Sequence, residues 1–359
     1  MDTLNKLKDI NLTNRFLDKI KSEVVSEISI MEVCGTHTNV ILKNGIKDLL
    51  PEKIKLINGP GCPVCVTPQG YIDTAIKLSK KENMIITTFG DLMRVPGKES
   101  TLSKEKALGS DIRVVYSPLD SIKIARENPS KEVIFLGIGF ETTAPIIAMS
   151  IKIACDENIN NFSVFNSLKT MPEAMKSLVL NPNIKIDAFL CPGHVATIIG
   201  ENQFKKLAVE YNIPMVIAGF EVNDILASIY TIIEMNKNNK NYLVNLYSRL
   251  VKKDGNINAV NIIHEVFEKS ESIWRGIGNL DNAGLIIKNK YSRFDALNKF
   301  DIKFIQESDN KGCSCGEVLM GIKEPTECNL FGNICTPLTP IGACMVSEEG
   351  TCSAYYKYK

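Results

Sequence analysis

The chain has 359 residues, of which 44% are hydrophobic and 23% are charged, proportions that are ordinary for a globular protein. Its 42 basic and 41 acidic residues leave a formal charge of +1, which argues against nucleic acid as a partner. No apolar run reaches the ~18 residues of a membrane span, and the charged N-terminus lacks the apolar centre of a secretory signal, so we expect a cytoplasmic protein without membrane contact.

The first third of the chain alternates strand-like and helix-like patterns. After an amphipathic opening helix, "EISIMEV" predicts a short buried strand and "THTNVILKNGIKDLL" predicts the helix behind it. The unit repeats from "KIKLI", and "MIITTFG" and "DIRVVYS" predict further strands. Strands that alternate with helices indicate a parallel sheet covered on both faces.

A second series of the same kind begins near residue 120 and predicts a second doubly wound α/β half. From about residue 240 the pattern changes: "NYLVNLYSRLV" and "NAVNIIHEVFEKS" predict helices, and the stretch around Trp274 is predicted to be irregular. The last fifty residues hold six of the eleven cysteines. We therefore predict a third, mainly helical or irregular domain around a metal centre, and the following division: an N-terminal helix (1–20), α/β domain I (21–118), α/β domain II (119–238) and a C-terminal domain (239–359).

Cys34 ends a predicted strand and is followed by Gly35. The start of the next helix is expected to lower its thiol pKa, and His37 is placed to act as a base or a supporting partner. A buried structural cysteine beside a helix-capping Thr is the plainer alternative.

Cys62 and Cys65 have the C-x-x-C spacing of redox dithiols and of half zinc sites. A zinc site would need two more ligands from Cys34, His37, Cys191 or His194. Both interpretations stay open on spacing alone.

The turn "GIGFETT" has Thr142 where the third glycine of a dinucleotide fingerprint belongs, which weakens a nucleotide-binding interpretation. Glu141, Thr142 and Thr143 can face a ligand or cap the next helix, and His194 lies in a similar turn, "CPGHV".

In the C-terminal stretch, four cysteines follow the spacing C-x14-C-x6-C-x16-C, and two more remain as a candidate redox pair. Four thiolates suit zinc or an iron–sulfur cluster equally well, and the ligand set can also begin at the second cysteine. The surplus pair favours redox chemistry beside a cluster, since zinc does not transfer electrons. The four are Cys313, Cys328, Cys335 and Cys352; the other two are Cys315 and Cys344.

Five stretches together resemble the hydrogenase maturation factor HypD family: "MEVCGTHT", "GPGCPVCVTP", "GFETTAP", "PGHV" and "CTPLTPIGACMVSEEGTCSAYY". The resemblance implies two Rossmann-like α/β domains and a third domain that carries a [4Fe-4S] cluster. It also implies a scaffold on which iron(II) of the [NiFe]-hydrogenase receives cyanide and CO, in complex with a HypC-type chaperone and with cyanide from a HypE-type partner.

The same resemblance implies residue roles. Cys34 would hold the iron with His37 beside it, and Cys62 and Cys65 would be a dithiol/disulfide couple facing the same cleft. The cleft would also include Glu141, Thr142, Thr143 and His194. The cluster would be held by Cys313, Cys328, Cys335 and Cys352, with Cys315 and Cys344 as the adjacent redox pair.

Two other functions remain as alternatives. One is a stand-alone iron–sulfur disulfide reductase, in which the C-terminal cysteine pair reduces the C-x-x-C pair. The other is a zinc-stabilised binding module without catalysis.

Overall fold

The computed structural model describes residues 9–302 and 312–359. Residues 1–8, where the predicted N-terminal helix begins, and residues 303–311, within the predicted C-terminal domain, lie outside the described residues. The described chain forms two parallel β-sheets flanked by helices, one antiparallel hairpin and a cysteine-rich stretch, residues 312–359, called here the C-terminal segment. The two helix-flanked parallel sheets confirm the predicted α/β class.

The strands are short and rich in β-branched residues, and several are buried along their whole length, as parallel strands between two helix layers are. In chain order they are β1 (Ile28–Glu32), β2 (Ile54–Asn58), β3 (Met84–Thr88), β4 (Ile112–Val114), β5 (Glu132–Gly139), β6 (Phe162–Leu168), β7 (Ala188–Cys191), β8 (Met215–Ile217), β9 (Leu243–Asn245), β10 (Phe267–Trp274) and β11 (Gly278–Ile287).

Helices fill the connections between the strands, and several begin at a capping side chain such as Asp9, Thr101 or Ser117. In chain order they are α1 (Ile10–Glu23), α2 (Gly35–Lys43), α3 (Ile46–Leu49), α4 (Pro63–Val66), α5 (Gln69–Ser79), α6 (Leu102–Ala107), α7 (Pro118–Glu127), α8 (Ala144–Asp156), α9 (Met171–Val179), α10 (Gly193–Ile199), α11 (Glu201–Glu210), α12 (Val222–Lys237), α13 (Ile257–Val266), α14 (Ala296–Lys299), α15 (Cys315–Leu319) and α16 (Thr351–Tyr358). Short 3-10 helices cover Gly90–Arg94, Asn289–Phe294, Pro325–Glu327 and Ala343–Met345.

Sheet membership does not follow the order of the predicted domains. The first sheet has the parallel order β2-β1-β7-β8-β9, and the second has the parallel order β4-β3-β5-β6. The chain thus leaves the first sheet after β2 and returns to it at β7, so strand pairing crosses the boundary predicted at residue 118. The domain division itself stays a prediction.

Two element predictions near the C-terminus are wrong. "NYLVNLYSRLV" was expected to be helical, but Leu243–Asn245 is β9, which pairs in parallel with β8 at the edge of the first sheet. The stretch around Trp274, expected to be irregular, belongs to the antiparallel hairpin of β10 and β11. Trp274 is fully buried there, and its indole N–H donates to the carbonyl of Ala283 at 3.1 Å.

The largest apolar cluster contains residues of both sheets, with Met31 and Phe189 from the first and Ile86 and Phe165 from the second. Tyr71 of α5 stacks on Phe165 with ring centroids 4.2 Å apart, and its hydroxyl donates to the Phe165 carbonyl at 2.8 Å. The helix that follows the C-x-x-C loop therefore packs directly against the second sheet.

The C-terminal segment is anchored on the first sheet. The buried Tyr355 hydroxyl donates to the side-chain oxygen of Asn58 at 3.2 Å and accepts from the Lys47 ammonium at 2.9 Å. Lys47 also forms an ion pair with Glu324. Across residues 9–302 and 312–359, no helix combines the length and apolarity needed to cross a membrane.

Candidate functional site

Cys34 occupies the cap position between β1 and α2, and its side chain is only 7% exposed. Its backbone N–H donates to the carboxylate of Glu32 at 3.0 Å. Glu32 also accepts from the Thr38 hydroxyl and from the Asn58 side-chain amide. This buried carboxylate therefore ties together the strand end, the first turn of α2 and the end of β2.

The pKa of the Cys34 thiol is raised to about 12, because burial removes the thiolate from water. The backbone N–H groups of His37 and Thr36 act in the lowering direction, whereas the carboxylates of Glu32 and Glu349 add to the rise. The expectation of a lowered pKa is wrong, because desolvation outweighs the lowering effect of the helix N-terminus. Cys34 keeps its proton at neutral pH in the metal-free protein.

His37 and His194, which are far apart in the sequence, both stack on the ring of Phe220, with centroid distances of 4.8 and 3.9 Å. The Nε2 atom of His37 lies 3.0 Å from the Gly219 carbonyl oxygen, so Nε2 carries the proton. Burial lowers the pKa of His37 to about 4. Its Nδ1 atom has no hydrogen-bond partner among the described residues, and the predicted role of His37 as a base stays a prediction.

The glycine- and proline-rich loop after β2 brings the C-x-x-C pair next to Cys34. The Gly61 carbonyl accepts from the Gly35 N–H at 3.4 Å, and a Cβ on Gly61 would lie 2.5 Å from the Cys34 Cα, so glycine is required here. Cys62 caps α4 by accepting the Cys65 N–H at 3.3 Å, and the two sulfurs are 2.6 Å apart. Both thiols are buried and lie close enough to act as one dithiol couple.

The C-terminal segment covers the start of α2. The Thr36 hydroxyl donates to the Glu349 carboxylate at 3.3 Å, and the Asn39 side chain donates to the Glu348 carbonyl at 2.7 Å. A Cβ on Gly35 would meet Glu349 at 2.5 Å or less, so the two backbones approach closely. The segment that carries the predicted cluster ligands is therefore in contact with the helix that follows Cys34.

All six cysteines of the C-terminal segment line one small cavity: Cys313, Cys315, Cys328, Cys335, Cys344 and Cys352. The apolar part of its wall includes Val318, Leu330, Phe331 and Met345. Among the residues that the structure describes, no group of three or more His, Cys, Asp or Glu side chains is already spaced to hold a metal ion. The thiols thus share a cavity without converging on a single point.

Cys344 connects this cavity to the C-x-x-C pair. Its sulfur lies 3.2 Å from that of Cys315, and its thiol lies close enough to Cys65 for each thiol to influence the pKa of the other. Burial raises the pKa of Cys65 well above its usual value. Two pairs that were predicted separately therefore form a continuous row of sulfurs, Cys62, Cys65, Cys344 and Cys315.

The turn that follows β5 forms a separate feature. Glu141 is buried, and its Oε1 atom accepts from the Met171 N–H at 2.9 Å, while Oε2 has no partner within the described part of the chain. Burial raises the pKa of Glu141 to about 7. Thr142 is exposed and Thr143 is half-buried. Their predicted place in a cleft with Cys34 stays a prediction.

Glu32, Phe220 and Arg275 were not predicted from the sequence. Glu32 has a local signal, because a carboxylate two residues before Cys34 ends a strand that is otherwise apolar. Phe220 and Arg275 have none, since their partners come from distant parts of the chain.

The fold and the site define a class, an α/β protein whose buried thiols lead from one strand end to a cysteine-lined cavity. A sequence model of the HypD family, described as "Hydrogenase formation hypA family", matches residues 11–359. The hydrogenase maturation factor HypD of Escherichia coli (strain K12) is 43% identical, over 92% of this chain and 89% of its own length. HypD of Cupriavidus necator is 40% identical over 100% of this chain and 97% of its own length, and HypD2 of Bradyrhizobium diazoefficiens is 44% identical over 91% and 88%.

The chain therefore belongs to the HypD family of hydrogenase maturation factors. This confirms the resemblance drawn from the five motifs.

Proposed function

We propose that this protein is a redox-active scaffold of [NiFe]-hydrogenase maturation, on which iron receives cyanide and CO. Cys34 holds the iron in a complex with a HypC-type chaperone, and a HypE-type partner supplies cyanide. The observation that supports this most is the position of the C-x-x-C pair, which lies beside Cys34 and continues through Cys344 to the cavity of six cysteines.

The surroundings of Cys34 suit a thiolate that forms only when a metal cation arrives. Its pKa of about 12 keeps the thiol neutral beforehand, and a bound cation replaces the proton. Glu32, whose pKa burial raises to about 7, is the neighbouring group suited to take up that proton. Iron(II) with cyanide and CO is a soft centre for which thiolate is a fitting ligand.

We assign Cys313, Cys328, Cys335 and Cys352 to a [4Fe-4S] cluster. The four thiols line one cavity whose remaining wall is largely apolar, and four thiolates are the donor set that such a cluster takes, so the residues fit the group. When bound, the cluster supplies one-electron transfer.

The remaining thiols of the cavity give a balanced route to the C-x-x-C pair. Cys344 attacks the Cys65 sulfur of a Cys62–Cys65 disulfide and releases the Cys62 thiol. Cys315 then attacks Cys344 and releases the Cys65 thiol, so two electrons and two protons pass from one pair to the other. We place the protein in the cytoplasm, where reducing conditions keep thiols available for this exchange.

A groove beside Cys34 suits the HypC-type chaperone. It runs between α2 and the C-terminal segment, and its lining includes Thr36, Asn39, Arg94, Pro337 and Tyr356. Tyr356 is 45% exposed there, which offers an aromatic contact to a partner. A chaperone bound in this groove can bring a second thiolate to the iron.

Replacing Cys34 tests the scaffold function. We expect Cys34→Ala to remove the cyanide and CO infrared bands from the complex with the HypC-type chaperone, because the iron loses its thiolate, while iron and sulfide of the cluster are retained. Cys155→Ala is the matched control, since Cys155 is half-buried and contacts Arg293 instead. Bands of wild-type strength in Cys34→Ala would contradict the assignment of the iron ligand.

A stand-alone disulfide reductase is the second candidate, favoured by the contact between Cys65 and Cys344. This function needs no metal at Cys34. Thiol–disulfide exchange that proceeds in the wild-type protein without any infrared bands on its complex would favour it.

A further inference from the structure

Arg275 is a buried cation between the C-x-x-C loop and the cysteine-lined cavity. It follows β10 directly and is 5% exposed. Its backbone N–H donates to the Val66 carbonyl at 2.9 Å, and its Nε–H donates to the Thr67 carbonyl at 2.8 Å. Both acceptors come immediately after Cys65, so the guanidinium is fixed to the end of the dithiol helix.

One nitrogen of the guanidinium makes no hydrogen bond within the described part of the chain. Its Nη2 atom is buried and has no hydrogen-bond partner among the described residues, and no salt bridge to Arg275 occurs among them. Arginine remains charged under all ordinary conditions, and a buried, unpaired charge is strongly unfavourable. Such a cation is expected beside an anion that comes from a bound group and not from the polypeptide itself.

The contacts of the next residue bring Arg275 close to the cysteine-lined cavity. A Cβ on Gly276 would lie on the Cα of Gly316, which follows Cys315, so the two backbones touch beside the cavity.

We propose that Arg275 compensates the negative charge of the cluster site, and that its free Nη2–H donates to a sulfur there. This rests on the proposed [4Fe-4S] assignment. Four thiolates around such a cluster carry a net negative charge in either oxidation state, and a fixed cation stabilises the more negative, reduced form more. Arg275 is then a positioning residue, which joins the cluster site to the C-x-x-C loop through one guanidinium.

The test compares the full-length protein with and without its cluster. In Arg275→Met we expect cluster loss to a chelator to be about tenfold faster, as for other hydrogen-bonding partners of metal sites. We also expect a lower midpoint potential of the remaining cluster, and a fall in melting temperature that is larger in the cluster-loaded than in the cluster-free protein. Arg275→Lys keeps the charge and should restore most of the midpoint potential.

Arg249→Met is the matched control, since Arg249 pairs with Asp224 of α12 and should change none of the cluster properties. Equal falls in melting temperature with and without the cluster, together with an unchanged potential, would overturn the proposal. A wild-type protein that holds neither iron nor sulfide would instead overturn the cluster assignment.

Discussion

Cys34, Glu32 and His37 are all withdrawn from solvent, and for each of them burial disfavours the charged form. The thiol stays protonated, the imidazole stays neutral, and the carboxyl titrates near neutral pH. The motif around Cys34 could be recognised from the sequence, but its electrostatics could not, because the depth of burial depends on the distant Glu349 and on the loop at Gly61.

Glu141 gives a prediction about stability. Its pKa is raised to about 7, above the unfolded value, so the folded state holds a proton that the unfolded state releases. Stability therefore falls as pH rises from about 4.5 to about 7 and stays lowered above that. Glu141→Gln should remove this loss. At pH 8 we expect a higher melting temperature and a free energy of unfolding that is larger by up to about 3 kcal/mol, with little change in either at pH 4.

Glu265→Gln is the control of opposite sign. Hydrogen bonding to Lys152 and Tyr291 lowers the pKa of Glu265, so this variant should be destabilised at pH 8 and not at low pH. If Glu141→Gln changes the melting temperature by the same amount at pH 4 and at pH 8, the Glu141 carboxyl of the wild-type protein does not titrate as described.

At the scale of elements, the turns after β1 and β2 form the site together. Most strands and helices could be predicted, because their apolar patterns are long and regular. β9 could not, since its three residues become a strand only by pairing with β8. The hairpin around Trp274 also depends on contacts with another element. Its outward-facing positions are polar, so its sequence has no clear strand pattern.

Gly61 is the residue on which the contact between the two turns depends. In Gly61→Ala the new methyl group would lie 2.5 Å from the backbone of Cys34 and Gly35, atoms that cannot rotate away. We expect a loss of about 1–3 kcal/mol, seen as a lower melting temperature, and weaker iron infrared bands on the chaperone complex.

Gly90→Ala is the matched control, because its new Cβ would meet only Val114 at 3.8 Å. If Gly61→Ala melts like Gly90→Ala and keeps full bands, the two turns are not in the described contact.

At the scale of the whole molecule, the fold joins cysteines from the two ends of the chain. The excursion from β2 into the second sheet and the return at β7 place the C-x-x-C loop between both sheets and the C-terminal segment. The sequence predicted each cysteine group by itself. Their adjacency was implied only by the family resemblance, because it is set by the strand order and by the docking of the C-terminal segment, neither of which leaves a local pattern.

The most direct test of the account is to trap the contact between Cys65 and Cys344 in the full-length protein. The double variant Cys62→Ser, Cys315→Ser leaves these two thiols without their partners, and after mild oxidation we expect a Cys65–Cys344 disulfide in a non-reducing peptide digest. The control Cys62→Ser, Cys344→Ser leaves Cys65 and Cys315 and should give no cross-link between them. A digest of the first variant in which Cys65 and Cys344 both remain free thiols would contradict the continuous row of sulfurs.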